Sequence, residues 1–373
     1  MKKIIVSVTN DLVSDQRVHK VCQTLVKMEF NVLLVGRKKK NSLPINPRNY
    51  STLRLKLFFE KGFLFYAEYN IHLFFFLLFR KVDVLIANDL DTLLPNFLIS
   101  KIKQKKLVYD SHEYFCFVPE LMDRPLIQRV WKTIEKFLFP KLKFVMTVNN
   151  SIADLYKKEY KVNVAVVRNV PLTQKFQTYK IKEFKQKLGF SEEQKIIIYQ
   201  GAVNKDRGLE EAVLAMQFTD KNIVLLIVGD GDILNDLKNL CNENKLNERV
   251  QFIPKVNFDE LKNYTAIADI GISLEKNTNL NYRYSLPNKL FDYIHSEIPV
   301  LAAPLEEIKI VFNKFEVGLL IENHNPKHIA EKINEMLANQ EKHSVWKENT
   351  KLAAIEYCWE KEEEKLKKIY NKI

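Results

Sequence analysis

Short apolar runs alternate along this chain with stretches whose apolar residues recur every third or fourth position. In the first half, the runs at 4–8, 31–35, 82–87, 106–109 and 144–148, with another near 164–167, predict strands. After the first run, Val18, Val21, Cys22, Leu25 and Met28 share one face of a helix. The pattern restarts further on. Runs at 195–199, 222–228, 250–253, 270–274 and 299–303 predict strands, with helices near 208–217, 232–244, 258–268, 288–296 and 326–339. The end of the chain, up to Ile373, reads as one charged helix carrying Trp346, Tyr357 and Trp359. Strands separated by helices are the pattern of a parallel sheet. A chain of 373 residues is too long for one ordinary core. The prediction is therefore two parallel α/β domains facing a central cleft, spanning 1–171 and 195–355. A charged, strandless segment at 172–194 links them, and the terminal helix, 356–373, packs back on the first. Such a pair places its ligand in the cleft, at the carboxyl ends of the strands.

Charge adds an asymmetry. The chain carries 58 Lys and Arg against 46 Asp and Glu, a net charge of +12. The excess lies in the first half: through Pro171 the balance is roughly +14, leaving roughly −2 for the rest. A basic half suits an anionic surface or substrate, or simply solubility. Within it, residues 63–80 form the most hydrophobic segment, interrupted by Glu68, Asn70 and His72. Its apolar run is shorter than a bilayer requires. It reads as a buried domain helix, or as an interfacial helix on anionic lipid flanked by Lys61, Arg80 and Lys81. Cys22, Cys116, Cys241 and Cys358 are scattered, which argues against a zinc site or disulfide framework and fits a reducing cytoplasm. The apolar run after Met1 is too short for a signal peptide, being cut by Asn10-Asp11. The expected location is cytoplasmic, with peripheral contact on the inner face of the membrane. Basic residues are not interleaved with aromatics as in a nucleic-acid module, so no nucleic acid is expected.

Candidate chemistry gathers at predicted strand ends. In the stretch 284–304, Ser285-Leu286-Pro287-Asn288-Lys289 feeds a helix carrying Asp292 and then a buried strand. A loop entering a helix N-terminus offers free N–H groups to a phosphate, and an acid one turn later is placed for a polyol such as ribose. Gly201, Lys205 and Arg207 follow a strand and precede a helix, where fixed positive charge neutralises a leaving diphosphate. Gly229-Asp230-Gly231-Asp232 is a similar turn, either capped by Asp232 or lining the cleft near a base or ribose. In the first half, Asp110, His112 and Glu113 form a titratable strand-end cluster. Asn88, Asp89 and Asp91 follow another strand and suit a hydroxyl-rich acceptor. In the first loop, Arg17 either pairs with Asp11 or Asp15 or faces the cleft. No ligand spacing supports a metal.

Taken in order, D-Q-R-V-H-K, A-N-D-L-D-T-L-L-P, V-Y-D-S-H-E, T-V-N-N-S-I-A, R-N-V-P, Y-Q-G-A-V-N-K-D-R-G-L, I-V-G-D-G-D and S-L-P-N-K-L-F-D-Y-I-H-S-E-I-P-V-L-A resemble a retaining glycosyltransferase of family four. The resemblance covers nearly the whole chain. It implies the GT-B fold, two Rossmann-like domains, with a nucleotide sugar (UDP- or GDP-sugar) in the second. It places a glycan or lipid-linked acceptor on the first, in cell-surface polysaccharide synthesis, with no cofactor and no metal. Arg207 falls where the family has the Lys of its K-G step, Asp292 on the second acid of the paired-glutamate motif, and His112 on the strand-end His beside the donor sugar. Two positions depart: Ala202 replaces the Arg that follows the glycine, and Tyr284 replaces the first acid. Lys205 or Lys289 is then the expected replacement for the Arg, and Glu275 for the acid. On this reading His112, Arg207 and Glu275 are catalytic. Gly201, Lys205, Gly229, Asp230, Ser285–Lys289 and Asp292 bind the donor; Asp11, Arg17, Asn88, Asp89, Asp110 and Glu113 face the acceptor. A nucleotide-sugar epimerase or an inactive scaffold of the same fold are the alternatives.

Overall fold

The structure is a computed structural model that describes residues 1–13, 15–173 and 178–373; residues 174–177, inside the predicted linker, and Ser14 lie outside the described residues. The chain divides into two units. The first comprises Met1–Asn169, Asn279–Asn281 and Glu362–Ile373, and the second Val170–Thr278 and Tyr282–Lys361.

In the first unit the elements run β1 (Lys3–Ser7), α1 (Gln16–Lys27), β2 (Asn31–Lys38), β3 (Ser51–Lys56), α2 (Gly62–Leu78), β4 (Val84–Asn88), α3 (Leu90–Ile102) and β5 (Lys106–Ser111). They continue with α4 (Pro119–Met122), α5 (Pro125–Leu138), β6 (Phe144–Thr147), α6 (Asn150–Tyr160) and β7 (Val164–Val166). The seven strands form one sheet in the order β3-β2-β1-β4-β5-β6-β7. All pairs are parallel, with Val6 beside both Leu34 and Ile86. The central strands are covered on both faces, which is why their sequences are unbroken apolar runs. β3 was not foreseen, because its S-T-L-R-L-K is half-buried at the sheet edge. α1 starts where Asp15 accepts the Val18 N–H, and it buries Val18, Val21, Cys22 and Leu25 as its spacing predicts. The segment read as a buried helix is only half that: α2 buries Phe65, Tyr69, Leu73 and Leu77 and leaves the opposite side in solvent.

The second unit opens with α7 (Thr178–Lys187), a helix inside the segment read as a linker; its Phe184 meets Tyr264 edge-on at 5.0 Å. There follow β8 (Lys195–Ala202), α8 (Leu209–Ala215), β9 (Ile223–Asp230), α9 (Leu234–Glu243), β10 (Val250–Ile253), α10 (Phe258–Ala266) and β11 (Ile270–Ser273). Next come α11 (Leu280–Arg283), α12 (Asn288–His295), β12 (Val300–Ala302), α13 (Glu306–Phe315), β13 (Gly318–Leu320), α14 (Pro326–Ala338), α15 (Gln340–Glu356) and α16 (Trp359–Tyr370). The parallel sheet runs β10-β9-β8-β11-β12-β13. Alternate residues of β8 serve two cores, Ile197 and Tyr199 on one face and Ile196 and Ile198 on the other. The single terminal helix of the sequence reading is two: α15 ends at Tyr357, which packs into the core, and α16 restarts with the Trp359 N–H on the Pro171 carbonyl. Most of α16 belongs to the first unit, where Glu362 and Glu363 pair with Arg168 and Lys27.

Each sheet reverses its strand order once, between β1 and β4 and between β8 and β11. Loops at the carboxyl ends of such strands diverge and leave a crevice, the place where open α/β sheets bind ligands.

Candidate active site

In the second unit the crevice between β8 and β11 is floored by three charges. Glu275, fully buried just past β11, takes the Lys289 ammonium on Oε1 at 2.5 Å and the Ser273 hydroxyl on Oε2 at 2.7 Å. Arg207 Nη1 stands 3.4 Å from the same Oε1, its guanidinium 4.7 Å from the centre of the Tyr282 ring. Lys289, 7% exposed, also lies 4.0 Å from the centre of the Tyr199 ring. Burial alone would raise the Glu275 carboxyl, but Lys289 and Arg207 outweigh it and hold it at about 2. Burial pushes Lys289 down to about 8, against the pull of Glu275. Two cations on one carboxylate leave a net positive charge at the crevice floor. The Arg207 Nε is buried without a partner, a donor left over for an incoming anion.

The backbone around these charges is shaped by glycine. Gly201 and Gly229 sit side by side at the ends of β8 and β9 with φ of +122° and +155°. A Cβ on Gly229 would fall 1.9 Å from the Gly201 carbonyl oxygen, whereas one on Gly201 would meet only the Lys289 side chain, at 3.9 Å. α12 begins after Pro287 with no side-chain cap, and Ser285 is tied to the Tyr282 carbonyl. Asp292, one turn in, takes a hydrogen bond from Gln200 Nε2 at 2.9 Å, and Gln200 in turn accepts from Thr265. Lys205, Asp230 and Asn288 are exposed, while Leu286 packs against the second core.

The first unit collects a different set at its own crevice. The His112 N–H donates to Asp89 Oδ1 at 2.8 Å; the ring lies 3.4 Å from Asp89 Oδ2, 3.5 Å from Asp110 Oδ2 and 3.1 Å from Asn88 Oδ1. Desolvation disfavours the imidazolium, yet Asp89 and Asp110 together raise it to about 9. Asp110 is held near 2 despite its burial, because Arg17 grips both oxygens, at 2.6 and 3.1 Å. Burial raises Asp91 and Glu113 to about 7 each, and Asp89 also shifts upward. Asp91 accepts from Thr9 at 2.6 Å and keeps its Oδ1 buried and unpaired, and Glu113 accepts from Asn281 at 3.1 Å. Asp89 adopts φ +58°, a backbone strain common where function fixes the geometry. Carboxyls that titrate near neutrality suit proton transfer with hydroxyl groups. Among the described residues, no group of three or more His, Cys, Asp or Glu is arranged to hold a metal ion.

Residues 180–353 match the family described as Glycosyl transferases group 1. The matched stretch lies within the second unit, apart from Asn279–Asn281. Over 177 residues the chain is 23% identical to the uncharacterized glycosyltransferase MJ1178 of Methanocaldococcus jannaschii, covering 47% of this chain and 48% of that one. The chain thus spans about half the length of that curated relative. Over its whole length it is similar to a sucrose-phosphate synthase from Thermosynechococcus elongatus, at 15% identity and a TM-score of 0.80 over 99% of that chain. It is likewise similar to Anabaena Alr3699/HepE solved with UDP-glucose, at 13% identity and a TM-score of 0.78 over all of that chain. These likenesses show the GT-B fold.

Within the second unit, Gly201, Arg207, Glu275, Lys289 and Asp292, separated by up to ninety-one positions, meet at one crevice. Thr265, Ser273 and Tyr282, which support them together with Gln200, carried no signal of their own. Arg17 was expected to pair with Asp11 or Asp15 or to face the cleft. It pairs with neither acid: it is 2% exposed and bound to Asp110 and the Val167 carbonyl. Arg17 thus fixes the fully buried Asp110, whose Oδ2 lies 3.5 Å from the His112 ring. Asp11 is occupied locally by the Val13 N–H and the Ser42 hydroxyl.

Proposed function

We propose that the chain is a retaining glycosyltransferase of the family-four kind. It transfers a hexosyl group from a UDP- or GDP-sugar to a glycan or lipid-linked acceptor in cell-surface polysaccharide synthesis, with no metal. The buried Arg207–Glu275–Lys289 cluster carries this reading. A diphosphate leaving group gains negative charge as its bond to the sugar breaks, and preorganised cations in a desolvated crevice stabilise that charge most. Lys289 brings to Gly201 the positive charge that Ala202 lacks, its side chain being the nearest neighbour of a Cβ built there. Glu275 keeps both cations in place between turnovers and is the acid offered to the transferred sugar in place of Tyr284. The α12 N-terminus receives phosphate, Asp292 the ribose hydroxyls, and the Gly229-Asp230 turn the base or ribose. In the reaction the bond from the anomeric carbon to the diphosphate oxygen breaks. A bond to the acceptor oxygen forms on the same face, and the hydroxyl proton passes to the leaving diphosphate. The first unit, with His112, Asn88, Asp89 and Glu113, holds the acceptor. The similar Anabaena protein, solved with UDP-glucose, supports a nucleotide-sugar donor.

Thermal unfolding against UDP, GDP, ADP and CMP tests the donor site. Saturation at a hundredfold over Kd adds about 2.7 kcal/mol. A shift from one base that disappears in Asp292→Ala supports the reading, and no shift from any nucleotide refutes it. Ala202 and Tyr284 favour a second reading, a binding protein of this fold without turnover. Sugar transfer with retained anomeric configuration, followed by NMR, excludes it; epimerised donor in the absence of acceptor would mark an epimerase instead.

A further inference from the structure

Fifteen of the twenty-three exposed large apolar side chains among the described residues lie between Phe58 and Phe137, all in the first unit. They are ordered. On α2, Leu64, Ile71 and Phe75 recur at helical spacing opposite the buried stripe, and Phe79 just beyond extends the row, 81% exposed. α3 turns Leu93 and Phe97 inward and shows Leu98 and Ile102 to solvent. α5 shows Leu126, Val130 and Phe137. α2 packs on α3 and α3 on α5, and Tyr66 of α2 meets Trp131 of α5 at 5.3 Å, so the three stripes belong to one helical layer.

The exposed side-chain charges within these three helices have one sign. The three helices contain three acids. Asp91 and Glu135 are buried, and Glu68 is bound to the N–H groups of Phe58 and Phe59. Their exposed charges are Lys101, Arg129 and Lys136; Lys61, Arg80 and Lys81 flank α2 beside Glu60, which accepts the Lys40 N–H, and Asp123 and Arg124 precede α5. A partner must be anionic at its surface and apolar just beneath. A second copy of this chain would present the same cations and be repelled.

We infer that the outer faces of α2, α3 and α5 are a docking surface for an anionic lipid bilayer. No helix of the described residues is long and apolar enough to cross a membrane. The chain therefore lies on the bilayer, its aromatic and aliphatic stripes entering the headgroup boundary and its lysines and arginines meeting the phosphates. Docking rests on no part of the sugar-transfer reading and is measured without nucleotide or acceptor.

The test is co-sedimentation of the full chain with vesicles of phosphatidylcholine alone or mixed with phosphatidylglycerol. The chain sediments with the mixed vesicles and stays behind with the neutral ones, and binding weakens as salt is added. Phe75→Glu with Phe79→Glu, and separately Arg129→Glu with Lys136→Glu, each lower the partition coefficient by about tenfold or more. Both variants keep the wild-type melting temperature, because the altered side chains are exposed. No binding to the anionic vesicles overturns the inference, as does binding that both variants retain. A concentration-dependent dimer abolished by the same substitutions would assign the face to a second copy and overturn it too.

Discussion

Lys289→Met tests the crevice charges most directly. The substitution keeps the unbranched stem against Tyr199 and removes the ammonium 2.5 Å from Glu275. Glu275, fully buried, is then left with Ser273 and the longer Arg207 contact at 3.4 Å. Breaking a buried pair costs about 3–5 kcal/mol; the remaining Arg207 places the expected loss near the lower end, about 3 kcal/mol. For a unit of this size that is a fall of roughly 6–12 °C in melting temperature. Adding Glu275→Gln removes the stranded charge and recovers most of the loss. Donor binding changes separately. A charge-assisted hydrogen bond contributes about 1.5–3 kcal/mol, so the Kd for the nucleoside diphosphate rises about 10- to 150-fold. Differential scanning calorimetry and isothermal titration of the same preparations read both effects. A variant that melts with the wild type and binds equally well refutes the account. One that melts lower but binds equally well shows the pair to be structural only.

Lys289 titrates near 8, so nucleoside diphosphate binding, which needs its charge, weakens as pH rises from 7 to 9; Lys289→Arg flattens that profile in calorimetric titrations. His112 is raised to about 9, so its stabilising contribution is complete below its ordinary 6.5 and is lost as pH rises through about 9; His112→Gln removes that slope from denaturant midpoints. Asp91 is raised to about 7 by burial, so as pH climbs from about 4 to 7 the folded state loses stability there. Asp91→Asn should therefore raise the unfolding free energy from denaturant titration at pH 8 by about 1–2 kcal/mol, and transfer that is equally fast in this variant would remove Asp91 from acceptor handling. Gly229→Ala brings a Cβ to 1.9 Å from the Gly201 carbonyl at a φ of +155°, so it should cost several kcal/mol and appear as loss of folded protein; a normal melting curve would contradict the β8–β9 geometry.

Local pattern alone determined much of this protein. Ile4–Val6 and Leu85–Ala87 are buried on both faces, and a doubly covered strand must be apolar at every position, so each appears as a run without any knowledge of its neighbours. The same holds for the inward face of α1 and for the restart of the pattern in the second unit. β3 and β13 escaped because short or half-buried edge strands carry no such run. Gly201, Arg207 and Asp292 were legible as candidate residue types near strand ends, and the structure brings them to one crevice.

Pairing was decided only in three dimensions. Glu275 meets Lys289 fourteen residues on and Arg207 sixty-eight residues back, and Arg17 reaches Asp110 across ninety-three. Hydrophobic periodicity reports how each segment is buried, not which strands become neighbours. The reversal of strand order between β8 and β11, and between β1 and β4, brings those loop ends together. The outward stripes of α2 and α3 obey the same limit. A helix that is apolar all round has no preferred face in its sequence, and only packing against the sheet and against α3 decides which side stays in solvent.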